Sequence, residues 1–267
     1  MAEHPLYDTP YGKITQFERK LAKAGLDASM IDAINKKRCL AEAWVGDLRQ
    51  RLTPVSDKEA LLYFGRFNAP DVLVADFRQH NLVLELGFSS DRIDALLEEI
   101  PGFAWDDPLK TLFIRWTLGD LKSSTDAKLA ALRHVFGAGK VYVSDNFRTE
   151  NLYLPEGAPA FQPDVLEWGI IDLGSIRNTA PDKVNPAIAA GLEVFDASTQ
   201  HPAHTLAQNG RDVPRLDVPG LRVKVPGYSV PCAPWISGSS GGHVRVYVDW
   251  AGDADPHYAE PVLLKES

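Results

Sequence analysis

The chain is 267 residues long, enough to bury roughly three-quarters of its unfolded surface in an ordinary core without disulfide or metal staples. Hydrophobic residues make up 45% and charged residues 24%, globular proportions that exclude a disordered, collagen-like or coiled-coil chain. Its 28 basic against 36 acidic side chains leave a formal charge of −8, which argues against the broad positive field of a non-specific nucleic-acid binder.

The first third reads as helical. Ile14, Phe17, Leu21 and Ala24 recur at helical spacing before Gly25, a natural stop. Met30, Ile31 and Ile34 mark a short second helix. Leu40, Ala43, Trp44, Leu48 and Leu52 form the stripe of a third, which Pro54 ends. Ser56 and Glu59 follow with capping-box spacing. Together these pieces define a helical N-terminal unit over residues 1–66.

The period then changes. Residues 71–77 and 81–88 are rich in branched apolar side chains and are expected as strands. Ser89 or Ser90 caps a helix carrying Ile93, Leu96, Leu97 and Ile100, which Pro101-Gly102 ends. A strand over 111–118, a helix capped by Ser124 and stopped at Gly137, and a strand over 141–143 come next. This strand–helix–strand order predicts mixed packing with room for one parallel pair.

From about residue 150 the chain becomes proline-rich and strand-like, a possible sub-boundary within a 67–267 domain. Strands are expected over 166–173, 221–225, 243–250 and 262–264, and Asn185-Pro186 opens a helix with Ile188, Leu192 and Phe195 on one face. Along 243–250 the alternation puts Val244, Val246, Val248 and Trp250 inward, with His243, Arg245, Tyr247 and Asp249 outward. The expected class is α+β: a helical N-terminal unit, a mixed α/β segment and a β-rich C-terminal part.

Several residue sets are candidates for chemistry. Gly238-Ser239-Ser240-Gly241-Gly242 fits the G-x-S-x-G pattern of a nucleophile elbow. A strand follows it where an elbow needs a helix, so a hairpin loop explains the glycines better. A triad of His204, Asp212 or Asp217, and Ser240 has the protease order but too little chain to build the paired barrels. His201 and His204 have the spacing to share a helical face and a metal, without the intervening glutamate of a zincin. Asp253, Asp255, His257 and Glu260 cluster oxygens suited to calcium but lack EF-hand spacing. Gly137-Ala138-Gly139-Lys140 lies after a helix, the reverse of a phosphate loop, and reads as a helix stop. Lys36-Lys37-Arg38 complements a helix C-terminus. Cys39 and Cys232, the only two cysteines, read as reduced, inert thiols. Trp168, Trp235 and Trp250 suit either a core or a flat binding platform.

The segments Leu166-Glu167-Trp168, Ile171-Asp172-Leu173-Gly174, Val225-Pro226-Gly227 and Ala259-Glu260-Pro261-Val262 resemble an uncharacterised protein family of uncultivated, small-genome bacteria, over about residues 110–265. The resemblance implies no activity, ligand or site residue. The absence of a charged-then-apolar start and of any apolar run near twenty residues predicts a soluble cytoplasmic chain without a membrane span. The expected function is a non-catalytic binding or protein-interaction module with a protein or small-molecule partner, no cofactor, and no nucleic acid. The alternative is a hydrolase using Ser240 with a histidine such as His204, or a metal held by His201 and His204.

Overall fold

The computed structural model of the protein describes residues 67–102, 109–210, 213–239 and 241–264. The expected helical unit over 1–66, with Cys39 and Lys36-Lys37-Arg38, lies outside the described residues, as do Asp212 and Ser240. In chain order the described elements are α1 (Pro70–Val83), α2 (Ser90–Glu98), β1 (Lys110–Trp116), α3 (Leu121–Phe136), β2 (Val141–Val143), β3 (Leu152–Tyr153) and β4 (Leu166–Asp172). There follow α4 (Glu193–Gln200), α5 (Pro202–Ala207), β5 (Arg215–Asp217), β6 (Arg222–Val223), β7 (Cys232–Gly238), β8 (Val244–Trp250), β9 (Tyr258–Ala259) and β10 (Val262–Leu264). The fold is mixed α+β, as the sequence predicts. None of the described helices is long and apolar enough to cross a membrane.

The strands form two sheets. One is antiparallel, in the order β1–β4–β10. The other runs β2–β8–β7–β5–β9, with β6 joining β7 to β3. Both sheets combine strands from before and after residue 150. Two pairings are parallel, β2 with β8 and β5 with β9, whereas β1 and β2 belong to different sheets.

Strand β1 is apolar on both faces because both are covered. Leu112, Ile114 and Trp116 pack with Leu73, Val74 and Phe77 of α1 and Ile93 and Leu96 of α2. Phe113 faces the larger core with Leu132 of α3, Phe195 of α4, and Ile236, Val244 and Val246 of the second sheet. Gly169, paired with Phe113 across the ladder, has no room for a side chain: an added Cβ would lie 2.6 Å from the Phe113 ring.

Four local differences from the sequence reading have identifiable causes. Residues 71–77 are helix, not strand. Pro70 sits at the helix start, and Leu73, Val74 and Phe77 share one buried helical face. The 81–88 segment completes α1 and turns into α2, and the Asn81 side chain brackets Phe88, accepting from its N–H and donating to its carbonyl at 2.9 Å each. Helix α3 starts earlier than expected, with Asp120 rather than Ser124 as its cap. Asn185 closes only one turn, and α4 begins at Glu193. The backbone of the intervening residues is engaged elsewhere: Ala190 N–H donates to Pro261 and the Ile188 carbonyl accepts from Leu263.

Strand β7 carries no clear strand pattern, because Pro231 precedes it and Pro234 interrupts it, and proline is usually confined to sheet edges. Here the Pro234 carbonyl accepts from Val218 N–H at 2.9 Å, and the missing return donor falls where the ladder passes from β5 to β6. Trp250, expected inward, is 50% exposed. It pairs with the buried Cys232 at the far end of the ladder, beyond Val244 and Val246, and lines a surface depression instead of the core.

Candidate functional site

The histidines singled out by spacing belong to a buried polar band along the free edge of β1. In a sheet ordered β1–β4–β10, the N–H and C=O groups of Leu112, Ile114 and Trp116 point away from β4. Left bare and buried, each would cost about 1–3 kcal/mol. Side chains from α3 and α4, with the adjoining His201, stand in for the missing neighbour strand. Gln200 takes the Ile114 N–H and gives to the Ile114 carbonyl, both at 2.7 Å. His201 bonds the Leu112 carbonyl through Nε2 at 2.7 Å. Asp196 accepts from the Trp116 N–H, and Lys128 donates to the Trp116 carbonyl at 2.5 Å.

Lys128, Gln200 and His201 are thereby committed, whereas Asp196 keeps its buried Oδ2 without a hydrogen-bond partner. Asn68 N–H donates to His201 Nδ1 at 3.0 Å, so the proton of the neutral ring sits on Nε2 and points at Leu112. Burial holds the ring neutral, pulling its pKa down to about 4. Lys128 and Asp196 form an ion pair at 2.5 Å with both side chains 1% exposed, and the Lys128 ammonium lies 4.1 Å from the centre of the Trp116 ring. Burial pushes Asp196 up to about 7 against the pull of Lys128, and pulls Lys128 down. His204 is buried one turn on, stacked on Phe67 with ring centroids 4.9 Å apart. The spacing of His201 and His204 therefore serves packing and edge capping, with both His201 nitrogens already bonded.

The glycine–serine motif forms the β7–β8 hairpin. Ser239 N–H donates to the His243 carbonyl and Gly242 N–H to the Ser239 carbonyl, with Gly242 at φ 78°. Gly238 has a packing role: a Cβ there would lie 2.0 Å from the Thr205 carbonyl oxygen of α5. The serine at 240 is outside the described residues. Gly137 ends α3 at φ 90° and leads through a short turn into β2. Cys232 is a buried thiol whose burial pushes its pKa up, away from a nucleophile.

The residues left with open chemistry lie on the outer face of the seven-stranded sheet. Leu216, Ile236, Val244 and Val246 point to the core, so their neighbours point outward. The register then lines up aromatic rings across the strands. Tyr142 meets Tyr247 at 5.2 Å, Tyr247 stacks on Trp235 at 4.7 Å and 11°, and Trp235 meets Tyr258 edge-on at 5.4 Å. Arg215 lies 5.5 Å from the Tyr258 ring centre. At one end of this row Asp217, Trp235, Asp249, Trp250, Asp253, Asp255 and Tyr258 surround a shallow, open depression of about 80 Å³.

Behind it, Glu260 is 1% exposed and its carboxyl hydrogen-bonds the Asp217 carboxyl. Burial and the neighbouring Asp217 push Glu260 well above the usual carboxylate range. Asp253, Asp255 and Glu260, read from sequence as oxygen donors, are thus brought together with Asp217 and Asp249. His257 turns away to Gly210. Among the described residues no three carboxyl, thiol or imidazole groups converge closely enough to hold one metal ion. Of the candidate tryptophans, Trp168 is core, donating to Leu96 at 2.7 Å, whereas Trp235 and Trp250 line the depression. The signal for Asp249 was its outward parity. Asp217 and Trp235 sit on strands that proline and shortness concealed.

A second depression, of about 90 Å³, is lined by Leu121, Phe161, Leu192, Glu193, Leu221 and Arg115 among others. Its guanidinium is already held by Glu193 at 3.0 Å and Glu167 at 2.7 Å. Compared with known protein families, curated proteins and solved structures, the chain matches none.

Proposed function

We propose that the protein is a non-catalytic binding module for a positively charged ligand, docked on the acidic, aromatic end of the outer sheet face. The observation that carries the reading is the meeting of four aspartates with three aromatic side chains around one depression. Carboxylates supply Coulomb attraction, and the faces of Trp235, Trp250 and Tyr258 add cation–π attraction and an apolar surface. A metal ion fits less well, because the carboxylates are spread rather than converged. A ligand with its charge on an apolar skeleton matches both components.

Titration with spermidine, followed by tryptophan fluorescence, tests this. The expected result is saturable binding that weakens with salt, and a loss of about two- to fivefold in affinity for Asp249→Asn, the share of one exposed charge. Binding of acetate or glucose in place of the amine, or an affinity untouched by Asp249→Asn, contradicts the reading.

A further inference from the structure

We propose that the cation taken up by this face is an arginine of a second copy of the chain, so that the outer face of the seven-stranded sheet is the contact surface of a weak two-fold dimer. The inference rests on the cation-binding reading and adds the partner that supplies the charge.

Three observations support it. First, the face is open: α3 and α4 pack on the side of Leu216, Ile236, Val244 and Val246, while Tyr142, Arg245 and Asp249 on the other side are exposed. Second, its charges are unpaired and separated by sign. Among the described residues Arg215 and Arg245 form no ion pair, and neither do Asp249, Asp253 and Asp255. Arg215 lies against the Tyr258 ring, which leaves Arg245 as the free guanidinium of the face. Third, the outward residues of β8 are Arg245, Tyr247 and Asp249, a basic, an aromatic and an acidic side chain in line. Arg245 and Asp249 are about 13 Å apart along the strand with Tyr247 between them, too far to meet within one copy.

A two-fold axis lying between two such faces and crossing β8 at Tyr247 turns that order into complementarity. It sets the second β8 antiparallel, so that Arg245 of each copy lies over Asp249 of the other and the two Tyr247 rings meet on the axis. The depression bounded by Asp249, Trp235 and Trp250 then receives the guanidinium, and cation–π attraction adds to the ion pair. Packed sheet faces are about 10 Å apart, a gap that an arginine and an opposing aspartate span. An axis along β8 sets Arg245 over Arg245 and Asp249 over Asp249, and like charges exclude that arrangement. The strands β2, β8, β7, β5 and β9, about 4.8 Å apart and at most about 23 Å long, give a footprint of no more than about 550 Å² per copy. A standard interface takes about 800 Å² per partner, so this dimer is weak and governed by its charges.

The test is sedimentation velocity of the full chain over a concentration series reaching the millimolar range, at low and at high salt. The wild type should pass from monomer to dimer as concentration rises, and high salt should reverse this. Arg245→Asp and Asp249→Arg should each weaken the dimer by at least about tenfold, since the axis repeats every altered contact. The double variant should return to within about threefold of the wild type, because the reversed charges again oppose each other. Both side chains are exposed, so all three variants should keep the wild-type unfolding midpoint. Spermidine should compete with the second copy and shift the wild type towards monomer. A chain that stays monomeric while still binding spermidine overturns the dimer and leaves the cation site standing. Single variants that dimerise like the wild type, or a double variant no stronger than the single ones, also overturn it. A dimer that bound spermidine leaves intact separates the interface from the cation site and overturns the inference. A chain that neither dimerises nor binds spermidine overturns both readings.

Discussion

Along the edge of β1, the side chains of Lys128, Asp196, Gln200 and His201 each meet a backbone group of Leu112, Ile114 or Trp116, while on the outer sheet face Asp249 and Asp253 stand exposed around a depression. The two regions use similar residue types for opposite ends. In the first, burial is tolerable because each group completes a strand that has no neighbour, and the same contacts block that edge from pairing with another chain. In the second, four aspartates are concentrated around one depression, with Arg215 beside Tyr258 and Arg222 acting on Glu260. Titratable side chains mark a binding site here by their exposure around one depression, not by their number.

The largest expected effect breaks the first region. Lys128→Met should cost about 3–5 kcal/mol, because it strands the Asp196 carboxylate in the interior. Adding Asp196→Leu should recover only part of this. The Trp116 N–H and C=O then lose their caps, leaving a deficit of about 2 kcal/mol. Denaturant unfolding measures both, and a double variant as stable as the wild type would show that edge capping is not what the pair does.

The next effect is a pH dependence of opposite sign at two neighbouring groups. His201 has its folded pKa pulled down to about 4 from the usual 6.5, so the folded state binds fewer protons than the unfolded one between these values. Its contribution is fully present above pH 6.5 and is lost on acidification towards 4, a matter of about 3 kcal/mol. Asp196 is pushed up to about 7, so its contribution is present at low pH and declines as pH rises through 7. Relative to the wild type, His201→Gln should therefore lose less stability between pH 7 and pH 4, and Asp196→Asn should lose more. Parallel shifts in both variants would contradict the assignment.

The smallest effect belongs to the second region. Asp249→Asn should change stability by no more than about 0.5 kcal/mol, since Asp249 is exposed and asparagine keeps the oxygen that accepts from the Trp250 N–H. The same substitution should weaken cation binding. A large loss of stability with unchanged binding would move Asp249 from the site into the scaffold.

How much of this was legible in the sequence differs between the same two regions. Period and punctuation sufficed for α2, α3, β1, β4 and β10, where caps, glycine stops and apolar runs act locally. They failed for α1, whose branched residues suit a strand until Pro70 and the tertiary packing on β1 decide for a helix. In the polar band, the spacing of His201 and His204 was visible. The target of His201 was not, because the Leu112 carbonyl is 89 residues away. In the acidic site, Asp253, Asp255 and Glu260 stood out as a run and Asp249 as an outward strand residue. Their convergence with Asp217 and Trp235 depends on the pairing of β5 with β7 and β9, which no local pattern encodes.

The most direct measurement compares three tryptophans in one spectrum. Indole N–H resonances are followed by proton–nitrogen NMR as 1,4-diaminobutane is added, with assignments from Trp→Phe variants. Trp235 and Trp250 line the acidic depression, whereas the Trp168 indole is buried and bonded to the Leu96 carbonyl. The account predicts saturable shifts at Trp235 and Trp250, with Trp168 unmoved. Saturation that leaves Trp235 and Trp250 in place, or that moves all three alike, would contradict a cation site on the outer face of this sheet.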